Sequence, residues 1–292
     1  PSITYTLTGA TTGSGTGADA SGTYNVGTTT VTFTVDDGAF VETCSFDVTV
    51  VDPIPPTIDC SGVTTTTVNN DPGKCDGTVS GTITADDNCN YTIMNDYNAQ
   101  SSTNGPLNFS ATDMPVGTTT VTFTVTDDGG NTATCSIDFI VNDNENPTID
   151  CSAAGSPISV GTDGPTDCFA TVTFDITATD NCEYTITNDY NGQSSNNSTL
   201  TFSDQFAPGS YTVIFTSTDA AGNSVTCSVD ITVVDDDAPV LTCVDQTFNN
   251  DPGQCDAVVN CSLPTAIDNC DGDISGSVVL VSGPAPGSTF PV

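Results

Sequence analysis

The chain has 292 residues, of which 37 are acidic and one, Lys74, is basic; there is no histidine, and the formal charge is −36. Such a surface repels phosphate backbones and anionic lipid headgroups, which excludes nucleic acid and an anionic membrane surface as partners, and it attracts cations and basic protein surfaces. Disorder is excluded as well, because charged residues make up only 13% of the chain, hydrophobic ones make up 36%, and 13 cysteines recur in a fixed order.

Cysteines in that number imply an oxidising compartment, so the chain is expected outside the cytoplasm, secreted or at the cell surface. No apolar run reaches membrane-spanning length, and no signal peptide is recognisable at Pro1.

The first predicted strand of note is VGTTTVTFTV, Val26 to Val35, which precedes Cys44. It recurs as Val116 to Val125 before Cys135, and in looser form as Pro208 to Ser217 before Cys227. Cys60, Cys151 and Cys243 keep the same interval, about 91 residues, so one module is repeated in tandem.

Acidic, proline-bearing stretches (VVDPIPPTIDC, VNDNENPTIDC, VVDDDAPVLTC) separate complete modules at 53–144 and 145–237 from the C-terminal part of a module at 1–52 and the N-terminal part of one at 238–292. In the first complete module further strands are predicted at 57–68, 78–85, 91–95, 106–110 and 133–141, with turns at NNDPGK and TDDGGN. Val121, Phe123 and Val125 alternate with threonines, the pattern of a half-buried strand. No segment has helical periodicity. Short strands at this density predict an all-β fold of tandem immunoglobulin-like sandwiches; a β-solenoid would need a much shorter repeat. A module this small gains from cross-linking.

The module at 53–144 carries D-x-x-x-P, a first cysteine, D-P-G-x-C, a D-N-C step, P-x-G-T-x-x-V, TD-x-x-GN and a closing T-C, the module at 145–237 follows it more loosely, and residues 238–292 repeat the first half. This series resembles the hyalin repeat, an immunoglobulin-like extracellular module. Its four-cysteine form looks like the one strung through large surface proteins of Bacteroidota, gliding-motility adhesins included. Residues 1–25 and the NDYN loops (Asn95 to Asn98, Asn188 to Asn191) fit the pattern least well.

The resemblance implies the disulfides Cys60–Cys135 and Cys151–Cys227, with the partners of Cys44 and Cys243 outside the chain. The remaining cysteines admit two schemes. Bonds within modules would join Cys75 to Cys89, Cys168 to Cys182 and Cys255 to Cys270, the ordinary outcome if the intervening strand is short. Bonds between modules would join Cys75 to Cys182 and Cys168 to Cys270. Cys261 has no assigned role. Zinc is disfavoured, since there is no histidine and no C-x-x-C pair.

Alternating strands would bring the linker and two loops to one pole of each module. That gathers Asp52, Asp86, Asp87, Asn88, Asp127, Asp128 and Asn131 at the first junction. The second would hold Asp143, Asn144, Glu145, Asp180, Asn181, Asp219 and Asn223, and the third Asp235, Asp236, Asp237, Asp268 and Asn269. Carboxylates this close repel by about 1 kcal/mol per pair even in water-like dielectric. Hard oxygen ligands of this kind suit calcium better than magnesium, and a bound ion would stiffen the junction. The competing reading is that these residues only form turns.

No catalytic constellation is available, and paired carboxylates for glycoside hydrolysis would not need repetition in every module. Threonine rows fit exposed strand faces, and Tyr97 and Tyr190 fit loop packing. The N-x-S/T sequons at Asn90, Asn108, Asn196, Asn197 and Asn260 carry little weight. The expected function is a stalk or filament segment of a secreted adhesin, exported by the type IX route if the adhesin resemblance holds. Its partners would be neighbouring modules, surface glycans or other protein chains. The alternatives are a carbohydrate-binding appendage of a hydrolase or a self-assembling sheath.

Overall fold

The computed structural model describes residues 1–283 and 287–291; residues 284–286 and 292, in the last predicted module, lie outside it. Among the described residues the only helical elements are two three-residue 3-10 turns, Ser152–Ala154 and Ser275–Ser277. The chain divides into two units, 1–144 and 145–292.

The first unit opens with β1 (Ser2–Gly9), β2 (Gly13–Thr16), β3 (Gly27–Asp36) and β4 (Val41–Val50), one antiparallel sheet in the order β2-β1-β3-β4. Val31 and Thr29 are fully buried on it, whereas Val35 and Phe46 are 42% and 50% exposed.

A complete sandwich follows: β5 (Thr57–Asp59), β6 (Thr67–Asn69), β7 (Asp76–Asp86), β8 (Tyr91–Asn95), β9 (Ser101–Thr103), β10 (Leu107–Pro115), β11 (Gly117–Asp127) and β12 (Thr132–Asn142). One sheet has the order β10-β7-β5 and the other β6-β12-β11-β8-β9. Val121, Phe123 and Val125 point inward from β11, fully buried, and meet Val79 and Ile83 of β7 and Phe109 of β10 in one core. Phe109 touches Phe123 edge-on, with ring centroids 5.3 Å apart. The outward threonines pair across strands: Thr120 Oγ1 donates to Asp138 Oδ1 at 2.6 Å, and the Thr122 and Ser136 hydroxyls meet at 3.2 Å.

The segment predicted as one strand at 57–68 is two. β5 pairs antiparallel with β7, and β6 crosses to the other sheet to run parallel to β12. The break is local chemistry. Asp59 Oδ1 accepts the Ser61 N–H at 2.7 Å, and the Val63 N–H reaches the Cys60 carbonyl at 3.1 Å, closing a turn. Val63 then lies over Gly81, where any side chain would put its Cβ 2.5 Å from a Val63 methyl.

The second unit repeats this order with β13 (Thr148–Asp150), β14 (Ile158–Gly161), β15 (Ala170–Thr179), β16 (Tyr184–Asn188), β17 (Ser194–Asn196), β18 (Leu200–Phe206), β19 (Gly209–Asp219) and β20 (Ser224–Val234). Its sheets are β13-β15-β18 and β14-β20-β19-β16-β17. Phe123, Phe215 and Phe33 each stand opposite a cysteine (Cys135, Cys227 and Cys44) in matching register. The unit ends with β21 (Val240–Thr242), β22 (Asp256–Val258), β23 (Thr265–Asp268), β24 (Gly272–Asp273) and β25 (Thr289–Pro291). Apart from the two 3-10 turns, the regular structure of the described residues is β, in disulfide-bonded immunoglobulin-like sandwiches.

Cys60 is bonded to Cys135 and Cys151 to Cys227, with Cα atoms 6.3 and 6.1 Å apart. The within-module scheme for the other cysteines is wrong. Cys168 is bonded to Cys270, 102 residues away, and not to Cys182. Cys89 is a free thiol and so is Cys255, which removes the pairs Cys75–Cys89 and Cys255–Cys270. Cys75 and Cys182 are both disulfide-bonded. The reason is length: β7 runs 11 residues between Cys75 and Cys89 and β15 runs 10 between Cys168 and Cys182. At about 3.3 Å per residue each strand separates its flanking cysteines by about 30 Å, when a disulfide needs Cα atoms within about 7 Å. Cys44, Cys243 and Cys261 are free and exposed.

Candidate functional site

The first junction is built from three pieces of chain that the sandwich brings to one pole: the linker at Asp52, the turn after β7, and the β11–β12 turn. Asn131 ties them. Its backbone N–H and side-chain amide donate to the two oxygens of Asp127, each at 2.8 Å, and the same amide reaches the Asp52 carbonyl at 2.8 Å. The turn lies so close to the linker that a Cβ on Gly129 would sit 2.9 Å from that of Asp52. Asp128 is held apart by the Asn90 amide at 3.0 Å. Asp127 is therefore a turn-forming carboxylate with both oxygens occupied. Its counterpart Asp219 is bound in the same way by the N–H and amide of Asn223, again at 2.8 Å each.

Asp52, Asp87 and Cys89 converge differently. One ligand atom from each lies within 4.8 Å of the others. Asp52 accepts the Ile54 N–H at 3.0 Å and the Asn88 amide at 3.2 Å. Asp87 Oδ2 accepts the Cys89 N–H at 2.8 Å, while Asp87 Oδ1 is buried and has no partner among the described residues. The Cys89 thiol donates to Asp52, which with burial and the charges of Asp52, Asp87 and Asp127 pushes the thiol pKa up to about 11. The same hydrogen bond, with those from Ile54 and Asn88, holds the Asp52 carboxyl below its ordinary value. Asp86 ends β7 and lines a groove of about 810 Å³ in front of Cys89.

Of the residues assigned to the second junction, Asp143 is buried at the end of the first unit and Glu145 begins the second. Asp180 Oδ2 accepts the Cys182 N–H at 2.9 Å, as Asp87 does for Cys89.

At the third junction the D-N-C step, Asp268 to Cys270, grips the loop 162–168 of the preceding sandwich. The Cys168–Cys270 bond holds it covalently. The Asn269 amide donates to the Asp167 carbonyl at 3.0 Å and to Asp237 Oδ2 at 3.3 Å. Thr162 Oγ1 donates to Asp237 at 2.9 Å and, more weakly, to Asp236 at 3.5 Å. Asp268 Oδ1 accepts the N–H groups of Cys270 and Asp271, and Asp235 Oδ1 that of Asp237. Threonine, asparagine and backbone N–H groups thus do at these junctions what basic side chains do elsewhere. The acidic linkers mark these carboxylates in the sequence; the loop 162–168 and the hold of the D-N-C asparagine on it are signalled only by the recurrence of that tripeptide.

The tyrosines are structural. Tyr91 and Tyr184 donate to the carbonyls of Ala85 and Ala178 at 2.7 and 2.6 Å, and Tyr97 to that of Asp113 at 2.9 Å. Tyr190 packs on Phe206, with centroids 4.7 Å apart. In both NDYN loops the first asparagine caps the turn: Asn95 accepts the N–H groups of Tyr97 and Asn98, and Asn188 those of Tyr190 and Asn191.

No family model matches the chain. It is similar to hyalin of Strongylocentrotus purpuratus, 32% identical over 284 residues, which is 92% of this chain and 21% of that protein. It is also similar to hyalin of Lytechinus variegatus, 30% identical over 281 residues, 92% of this chain and 48% of that protein. The chain thus spans a fifth to a half of the length of the curated relatives it matches. Similarity on this scale supports the hyalin-repeat resemblance; it does not extend to the Bacteroidota adhesins.

Among solved structures, fibronectin(III)-like modules of Clostridium thermocellum CbhA match 61% of this chain and 93% of theirs at 15% identity and a TM-score of 0.27. Cadherin domains 3–6 of protocadherin gamma B2 match 93% of this chain and 76% of theirs at 17% identity and a TM-score of 0.32. Likenesses this slight carry no functional argument. The disulfides place the chain in an oxidising, extracellular setting, and no helix among the described residues is long and apolar enough to cross a membrane.

Proposed function

We propose that this chain is a segment of an extracellular, non-catalytic stalk, in which successive sandwiches are locked end to end and which serves adhesion by reach rather than by a pocket. The observation that carries this reading is the Cys168–Cys270 bond, which ties the loop of one sandwich to the D-N-C step of the next. A flexible string of modules has no use for such a bond; a rod that must resist bending at each junction does. The similarity to hyalin supports an extracellular repeat protein. A carbohydrate-binding appendage is disfavoured because Tyr91, Tyr97 and Tyr184 spend their hydroxyls on backbone carbonyls and the chain has no tryptophan.

Calcium at the first junction belongs to this proposal. Asp52 and Asp87 supply converging oxygens, and the unpartnered Asp87 Oδ1 is the acceptor a cation would complete. Asp127 is withdrawn from the set, since Asn131 already fills it. Further ligands would have to be carbonyls or waters, consistent with the millimolar-range affinity of extracellular calcium modules, about 10⁻⁴–10⁻³ M.

Small-angle scattering of the whole chain tests both parts. An elongated particle whose length distribution broadens on reduction supports disulfide-locked junctions. A further narrowing in millimolar calcium, absent with magnesium, supports the ion. A compact particle insensitive to reductant would overturn the stalk; identical curves in calcium and chelator would remove calcium alone.

A further inference from the structure

The junction seen between Cys168 and Cys270 has two components, and the chain carries one unused copy of each. The first is a cysteine-tipped loop. Around Cys75 the Asp71 N–H donates to the Asp76 carbonyl at 2.7 Å, the Lys74 N–H to the Asp71 carbonyl at 2.9 Å and the Asn70 amide to the Lys74 carbonyl at 3.0 Å. Around Cys255 the same three bonds recur, Asp251 to Asp256 at 2.8 Å, Gln254 to Asp251 at 3.0 Å and Asn250 to Gln254 at 2.7 Å. The loop before Cys168 is closed in the same sense, by Asp163 to Phe169 at 2.8 Å and Asp167 to Gly164 at 3.0 Å. Cys75 and Cys168 are disulfide-bonded. Cys255, on a loop closed by the same bonds, is a free and exposed thiol.

The second component is the D-N-C step. Cys270 and Cys182 occupy its last position and are disulfide-bonded; Cys89 occupies it and is free. The Cys89 step is folded like the others, with the aspartate two residues back accepting the cysteine N–H at 2.8 Å against 2.9 Å at Cys182. Where Asn269 spends its amide on the docked loop, Asn88 turns back to Asp52. In front of it lies the groove of about 810 Å³, walled by Asn25, Val26, Asp87, Asn88, Tyr91 and Asn104.

We infer that Cys255 and Cys89 are the two open halves of one inter-repeat disulfide, and that the partner each takes is another copy of this repeat, joined Cys255 to Cys89. The loop around Cys255 is the ligand and the groove in front of Cys89 is its seat, as loop 162–168 and the step at Cys270 are for one another. The bond is heterologous, so it propagates head to tail and extends the array instead of closing a dimer. Two thiols lose two protons and two electrons to form it. Glutathione disulfide takes them up through a mixed disulfide and leaves as two molecules of glutathione.

The inference rests on the stalk reading, and its test separates the two. The full chain with Cys44, Cys243 and Cys261 replaced by serine keeps only Cys89 and Cys255 free. In a glutathione redox buffer it is expected to give a ladder of oligomers on a non-reducing gel. Peptide mapping is expected to show Cys89–Cys255 links in at least about tenfold excess over either symmetric link, a preference of about 1.4 kcal/mol. C89S and C255S on this background should each abolish the ladder. The map of every variant must retain Cys60–Cys135, Cys151–Cys227 and Cys168–Cys270, which shows that the fold survives. Persistent free thiols, or symmetric and mixed links in statistical proportion, would overturn the inference while leaving an elongated monomer intact.

Discussion

At the scale of single residues, a chain with one basic side chain keeps its carboxylates by surrounding them with neutral donors. Thr30 and Asp47, Thr120 and Asp138, and Thr212 and Asp230 form the same cross-strand hydrogen bond in three repeats, at 2.7, 2.6 and 2.7 Å. The alternation of threonine along these strands was legible in the sequence; that one threonine of each strand faces an aspartate was not, because it depends on register between strands. Cys89 is the place where neutral donors run short. Its thiol is held protonated against Asp52, with a pKa of about 11, and the thiolate is the reactive form. At pH 8 its alkylation by iodoacetamide is expected to be about 100-fold slower than that of an ordinary exposed thiol. Asp52→Asn should remove most of that protection. Equal rates for Cys89 and the exposed Cys44 in the parent chain would show that the thiol does not lean on Asp52.

At the scale of elements, strand length decided what spacing in the sequence left open. The D-P-G-x-C and D-N-C cysteines stand at opposite ends of β7, so no fold of this class bonds them to each other. A pattern of cysteines gives order along the chain but not which end of a strand each one occupies. The opposite case is Cys60–Cys135, which joins the turn where β5 gives way to β6 to β12 of the facing sheet, with Cα atoms 6.3 Å apart. That bond closes a loop with a sequence separation of 75. In the chain-entropy account such a closure contributes about 4.5 kcal/mol. Replacing both cysteines by serine is expected to cost about 2–5 kcal/mol in urea unfolding, with Phe123 and Ile83 still buried beside the site. A loss below about 0.5 kcal/mol, within ordinary surface-substitution scatter, would mean that the switch between sheets is held by Val63 packing on Gly81 and not by the bond.

For the whole molecule the governing quantity is the charge of −36, which sets two opposing responses to acid. Asp19, Asp59, Asp150 and Asp273 each accept the hydroxyl and N–H of the serine two residues on, Ser21, Ser61, Ser152 and Ser275, which lowers their pKa. A carboxylate whose folded pKa lies below its unfolded one stabilises the fold above the unfolded value, about 4, and that contribution is lost as pH falls through the folded value. Repulsion acts the other way, since protonation discharges the surface, and salt screens it over about 8 Å at physiological ionic strength. The two are separable because salt weakens repulsion at neutral pH without touching short hydrogen bonds. The melting temperature is therefore expected to rise when monovalent salt goes from about 0.01 to 0.15 M at pH 7, to stay level from pH 8 to 5, and to fall below about pH 4. In a variant with Ser61, Ser152 and Ser275 all changed to alanine the fall should be shallower, because the hydroxyl share of the hydrogen bonding that lowers those pKa values is gone. A melting temperature that climbs steadily through pH 3 would mean that repulsion, and not the serine-capped turns, dominates the energetics of this surface.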